Sequence, residues 1–167
     1  LRELAWSADS TRIAFQQREI AAPPAWLGLM APGEGETWAP PPLHTNRLVF
    51  RHDTVGEWPE GGFQTCLVAA NGSSPARALT SGPWWNGMPH VTTPGLCFTP
   101  DGAALLVTGT QDPEWDRKPS KIAIQRIEIA TGAVIPFAAA PGMVVAPHPS
   151  PDGKHLAYLA TDAQRLS

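Results

Sequence analysis

The side chains able to do chemistry are few and thinly spread. His148, Ser150 and Asp152 stand at alternate positions, the three residue types of a serine-hydrolase triad within one short run. A triad needs its members on separate elements, so that imidazole and carboxylate can be ranked behind the hydroxyl. Three neighbours in one Pro-rich segment predict a turn instead. No G-x-S-x-G elbow occurs, and Gly72-Ser73-Ser74-Pro75 does not replace it, so no catalytic residue is assigned. The five histidines (His44, His52, His90, His148, His155) show neither H-x-H nor H-E-x-x-H spacing. Cys66 and Cys97 each lie inside an apolar run and are expected as buried small hydrophobes, with a disulfide as the minor alternative. Asp112, Glu114 and Asp116 alternate like calcium ligands, but the glycine and closing glutamate of an EF-hand are missing. With Arg117 they predict a solvated loop at a sheet edge. No metal and no cofactor is expected.

Two groups remain as candidates for contact with a ligand or a neighbouring domain. Arg51 and Asp53 flank His52, and alternation along a strand would put both on one face. There they would form an ion pair that pins a loop, or face a cavity and touch substrate. Trp84 and Trp85 form an aromatic pair in a loop, suited to ordinary packing, to a domain interface or to a peptide pocket.

These groups need a framework, and the composition describes it. The 167 residues include 19 prolines and 7 tryptophans, and only 16% are charged. Such a chain favours turns and extended segments over long helices. A net charge of −3 with scattered basic residues gives no footprint for nucleic acid or an anionic membrane. No apolar stretch approaches a membrane span. A cytoplasmic location is favoured; a periplasmic or secreted one stays open, because the chain begins at Leu1 without a methionine and reads as a fragment.

Internal repetition is the informative signal. Leu4–Phe15, Gly95–Val107 and Pro147–Tyr158 share an aromatic or His, then Ser/Thr, Pro/Ala, Asp and Gly/Ser, then an apolar strand. The third copy reads as carrying one extra residue, Pro149. Pro100 and Pro151 preset φ for a turn. Asp9, Asp101 and Asp152 can accept a backbone hydrogen bond two residues on. Gly102 and Gly153 tolerate φ > 0. Each copy therefore predicts a tight β-hairpin.

Asp152 follows Asp101 by 51 residues, about one four-stranded blade. Ile122–Ile129 and Val134–Phe137, joined at Thr131-Gly132, supply its outer strands. The break in alternation between Ile124 and Ile127 suggests a bulge. In the first unit, Thr65–Ala69 and Arg77–Thr80, joined at Asn71-Gly72, supply the third and fourth strands. An insertion covers about 17–62, with a short strand at Arg47–Arg51. The fold is thus expected to be all-β: a partial β-propeller of four-stranded antiparallel blades. A blade with an insertion (1–82) precedes a regular blade (83–140) and the first hairpin of another (141–167).

The hairpins resemble the WSPDG-type repeats of two propeller groups, the TolB-like proteins and the prolyl oligopeptidase family. Asn46–Gly56 is similar to an Arg-x-x-x-Arg-x-Asp-Gly-x-Gly segment of acylaminoacyl-peptidase-like and dipeptidyl-peptidase-like members, with Thr54 at the usual glycine. Leu79-Thr80-Ser81-Gly82, the Phe98–Gly102 hairpin and the polar Asp112–Pro119 loop follow in that family's order. That resemblance implies a propeller that gates short peptides for an α/β-hydrolase domain absent from this chain. The partners would be the remaining blades, that hydrolase domain and a peptide substrate. The alternative is a TolB-like protein-binding scaffold with no enzymatic activity.

Overall fold

The computed structural model describes residues 2–19, 33–37, 39, 45, 48, 51–52, 56–57, 62–85, 95–115, 117 and 122–162. Twelve strands are formed among them, and no helix. They are β1 (Arg2–Trp6), β2 (Arg12–Arg18), β3 (Arg51–His52), β4 (Gly56–Glu57), β5 (Phe63–Ala69) and β6 (Arg77–Ala78), then β7 (Leu96–Phe98), β8 (Ala104–Gly109), β9 (Ala123–Glu128), β10 (Val134–Ala138), β11 (Val144–Pro149) and β12 (Leu156–Ala160).

Two four-stranded antiparallel sheets carry the architecture, in the orders β1-β2-β5-β6 and β10-β9-β8-β7. The hairpin β11-β12 follows, and β3-β4 pairs separately. β1 packs against β7, and β7 against β11, so the first strands of successive sheets are neighbours and the sheets stack face to face. This is the all-β, partial-propeller arrangement: two blades and the first hairpin of a third.

The stack explains the patterning. Leu105, Val107, Ile127 and Ile129 of blade 2 pack with Leu96, Phe98, Ala14 and Leu79 in one buried cluster shared with blade 1. Leu106 and Ile124 point the other way, into a cluster with Val144 of the third hairpin. All six residues of β8 are buried, as expected for a strand covered on both faces. The break in alternation along β9 is therefore not a bulge. β8 and β9 pair without a register shift from Ala104↔Glu128 to Gly109↔Ala123. Ile122 and Ile124 serve one face while Ile127 and Ile129 serve the other. The irregularity lies in β10, between Pro136 and Ala138.

The third copy of the repeat also differs from its expected alignment. Ser150 is equivalent to Ser7 and Thr99 in hydrogen bonding, so Pro149 occupies the place of Trp6 and Phe98, and there is no extra residue. The displacement is taken up earlier, by a register shift between Val145 and His148 at Ala146, whose φ is +56°. β1 shifts likewise between Arg2 and Leu4 at Glu3, with φ of +49°. The expected strand at 47–51 falls mostly outside the described residues; Arg51 begins β3.

Polar links fasten blade to blade. Arg12 Nη2 donates to Gly102 O at 3.0 Å. Arg77 Nη2 donates to Ile129 O at 2.8 Å, and Gly95 N donates to Glu3 Oε2 at 2.9 Å. Cys97 Sγ lies 3.2 Å from Pro147 O. Each satisfies a group that an apolar seam would leave unpaired.

Candidate functional site

At one end of the stack the three repeat hairpins stand side by side with the same internal bonding. The hydroxyls of Ser7, Thr99 and Ser150 each donate to the carboxylate two residues on, Asp9, Asp101 or Asp152, at 2.6 Å. The same hydroxyls accept the N–H of Arg12, Ala104 and His155. Each carboxylate also accepts the backbone N–H of Thr11, Ala103 or Lys154. The residue after each aspartate has positive φ: Ser10 at +58°, Gly102 at +66° and Gly153 at +70°. This is a turn with Pro or Ala first and a left-handed residue last.

Hydrogen bonding to the charged form lowers a carboxyl pKa. The Ser7 hydroxyl, then the Thr11 N–H, hold Asp9 down at about 2. Thr99 and Ser150 act first in lowering Asp101 and Asp152. Ser150 is thus engaged with Asp152 and the backbone of its own turn, and no bond joins it to the exposed His148.

Between the hairpins of blades 2 and 3 opens a cleft of about 610 Å³, lined among others by Asp101, Arg126, Phe137, Asp152, Lys154 and His155. Arg126 Nε pairs with Glu128 Oε1 at 2.6 Å. The walls mix both charge signs with the Phe137 ring and the His155 imidazole.

The opposite end is aromatic. Trp84 and Trp85 are 5% and 2% exposed, so both rings lie inside the protein. Trp85 bridges to Thr110 through paired backbone hydrogen bonds and stacks on Trp115 with centroids 4.4 Å apart. Phe63 completes this cluster, and the Arg18 guanidinium lies 5.8 Å from the Phe63 ring centre. Beside them Gln64 joins Glu19 and Gly82 O, while Thr80 donates to Gln64 Oε1 and accepts from Thr65 N. Gln16 is fully buried, and among the described residues neither polar atom of its side chain has a hydrogen-bond partner.

Arg51 is exposed on β3, opposite Glu57, with His52 opposite Gly56. Asp53 lies outside the described residues. The structure therefore does not bring Arg51 together with Trp84 and Trp85 in one described site. Sequence reasoning missed Trp115, which stacks on Trp85 at the sheet end, and Arg126, which lines the cleft and pairs with Glu128. It also missed the hydroxyl partners of the turn aspartates, although their constant spacing of two was visible. Cys66 and Cys97 are free thiols; burial raises both, Cys97 to about 11. Among the described residues no group of three or more His, Cys, Asp or Glu is placed to hold a metal ion. Among them too, no helix is long and apolar enough to cross a membrane.

Stacked four-stranded blades with these hairpins define a β-propeller segment. Among solved structures the chain is similar to TolB from Acinetobacter baumannii, with a TM-score of 0.54 and 13% identity over 96% of this chain and 26% of that one. The likeness establishes a TolB-like propeller fold, and the chain spans about a quarter of that structure's length, 26%. No family model matches, and no curated protein matches.

Proposed function

We propose that the chain is a non-catalytic β-propeller segment that acts as a scaffold for binding another protein. The observation that carries this reading is the engagement of Ser7, Thr99 and Ser150 with the adjacent aspartates in closing turns. The repeated hydroxyl–carboxylate pairs build shape rather than a nucleophile. The cleft beside Arg126 and Lys154 is the surface that would receive a peptide segment of the partner. Its test is proximity labelling with the tagged chain beside an Arg126→Glu, Lys154→Glu variant. The scaffold reading expects a set of labelled proteins that the variant loses. An identical set from both would sink it.

A second reading follows from the sequence of the Arg51-to-Gly56 segment, of which Arg51, His52 and Gly56 belong to the short pair β3-β4. Here the chain is the gating propeller of a prolyl-oligopeptidase-type serine peptidase, with the remaining blades and a hydrolase domain supplied by the same polypeptide. It expects a G-x-S-x-G elbow further along the coding sequence, with an Asp and a His beyond it. A coding sequence without that elbow rejects the reading.

A further inference from the structure

The connection from β5 to β6 copies the frame of the repeat turns with different chemistry in it. Gly72 N donates to Ala69 O at 3.0 Å, as Gly102 N and Gly153 N donate to Thr99 O and Ser150 O. Asn71 Oδ1 accepts the Ser73 N–H at 3.0 Å, the bond that Asp101 and Asp152 make to Ala103 and Lys154. Gly72 has φ of +70°, beside +66° at Gly102 and +70° at Gly153. However, Ala69 stands where Thr99 and Ser150 supply a hydroxyl, and a neutral amide stands where they hold a carboxylate. Residues 71–78 are all exposed, and a Cβ at Gly72 would meet nothing within 4 Å.

We infer that Asn71 is a site of spontaneous covalent modification, deamidation through a cyclic imide, and that its isoaspartyl product loosens blade 1 from blade 2. The Gly72 nitrogen, released from Ala69 O and deprotonated by solvent hydroxide, attacks Asn71 Cγ. The N–Cγ bond closes a succinimide ring, and the side-chain nitrogen leaves as ammonia. Water then adds to either ring carbonyl and opens the ring, giving aspartate or isoaspartate. The Ser73 N–H polarises the carbonyl under attack, and the missing Cβ at Gly72 leaves the approach open. Asp101 and Asp152 resist in the same frame. Their carboxylates are already charged and repel a nitrogen anion, and the Thr99 and Ser150 hydroxyls hold them in place.

The two products differ in consequence. Aspartate at this position restores the Asp-Gly pattern of the repeat turns and can keep the bond to Ser73. Isoaspartate adds a methylene to the main chain beside a strand of only 2 residues, β6. That strand carries Arg77, whose Nη2 bonds Ile129 O on blade 2. It leads into Leu79, which is buried in the shared core with its N–H on Thr65 O. A longer backbone at Asn71 therefore slackens the strand that makes both links.

The test holds the full chain, Asn71→Gln and Asn71→Asp in mildly alkaline buffer and follows them by peptide mapping. Mapping separates Asn71 from the other Asn-Gly pair, Asn86-Gly87, which lies outside the described residues. Asn71 in the native chain is expected to convert within roughly tenfold of its rate in the urea-unfolded chain, because an exposed turn opens at little cost. The Asn71→Gln variant should stay unmodified there, since its longer side chain closes a less favourable ring. In the isolated isoaspartyl fraction the Ala78 and Leu79 amides should exchange roughly tenfold faster than in fresh chain, with no change in Asn71→Asp. An Asn71 that stays intact in the native chain while the unfolded chain converts overturns the site. Equal Ala78 and Leu79 exchange in the isoaspartyl fraction and fresh chain overturns its link to the seam.

Discussion

Arg12 crosses from blade 1 to blade 2: its Nη2 lies 3.0 Å from the Gly102 carbonyl, and its guanidinium carbon sits 5.7 Å from the centre of the Phe98 ring. One side chain thus closes the seam at the turn end by a charge-assisted bond and a cation–π contact. Arg12→Ala is expected to destabilise the chain by about 1–2 kcal/mol in urea unfolding. Arg12→Lys should recover less than half, since an ammonium neither stacks flat nor reaches with a planar fork. A midpoint unchanged by Arg12→Ala would show that the contact contributes nothing.

Ser10 and Gly102 occupy the same turn position, at φ of +58° and +66°. A side chain in the left-handed region is strained, so Ser10→Gly should stabilise by about 0.5–1 kcal/mol. Gly102→Ala should do the reverse, because its Cβ would stand 2.8 Å from Arg12 Nη2. Equal unfolding midpoints for the wild type and both variants would contradict the equivalence of the two turns.

The turn aspartates predict an acid limit. Asp9, at about 2, and the lowered Asp101 and Asp152 sit below their unfolded values. Their contribution is present above the ordinary carboxylate range and is lost as pH falls through the folded values. Stability should therefore decline from about pH 4 toward pH 2. Replacing the three by asparagine should flatten that decline. A triple variant with the same acid slope as the wild type would reject these residues as its origin.

Cys97 should be a slow nucleophile. Burial pushes its thiol up to about 11, and only the thiolate reacts. At pH 8 the native chain should be alkylated there roughly a hundredfold more slowly than the urea-unfolded chain. Equal rates would mean that the Cys97 seam opens freely.

Much of the fold was legible because turn chemistry is local. The Asp-Gly signals announce hairpins wherever they stand, and the spacing from Asp101 to Asp152 measures a blade. The break in alternation at Ile124 and Ile127 misled because a strand covered on both faces has no polar side to mark its register. Pro149 misled because Ala146 absorbs a residue upstream, which no local motif announces. The site was less legible. The stacking of Trp85 on Trp115 and the pairing of Arg126 with Glu128 depend on which strands become neighbours. Only the assembled sheet supplies that information.

The central claim is that blade 2 is a sheet sandwiched between blade 1 and the third hairpin. Amide hydrogen exchange resolved by residue tests it most directly. Leu105, Leu106, Ile124 and Ile127, all at most 1% exposed, should exchange slowest in the chain. Their rates should be roughly a hundredfold or more below those of Tyr158 and Leu159 on β12. If the β8 and β9 amides exchange as fast as those of β12, the stacked-blade account is wrong.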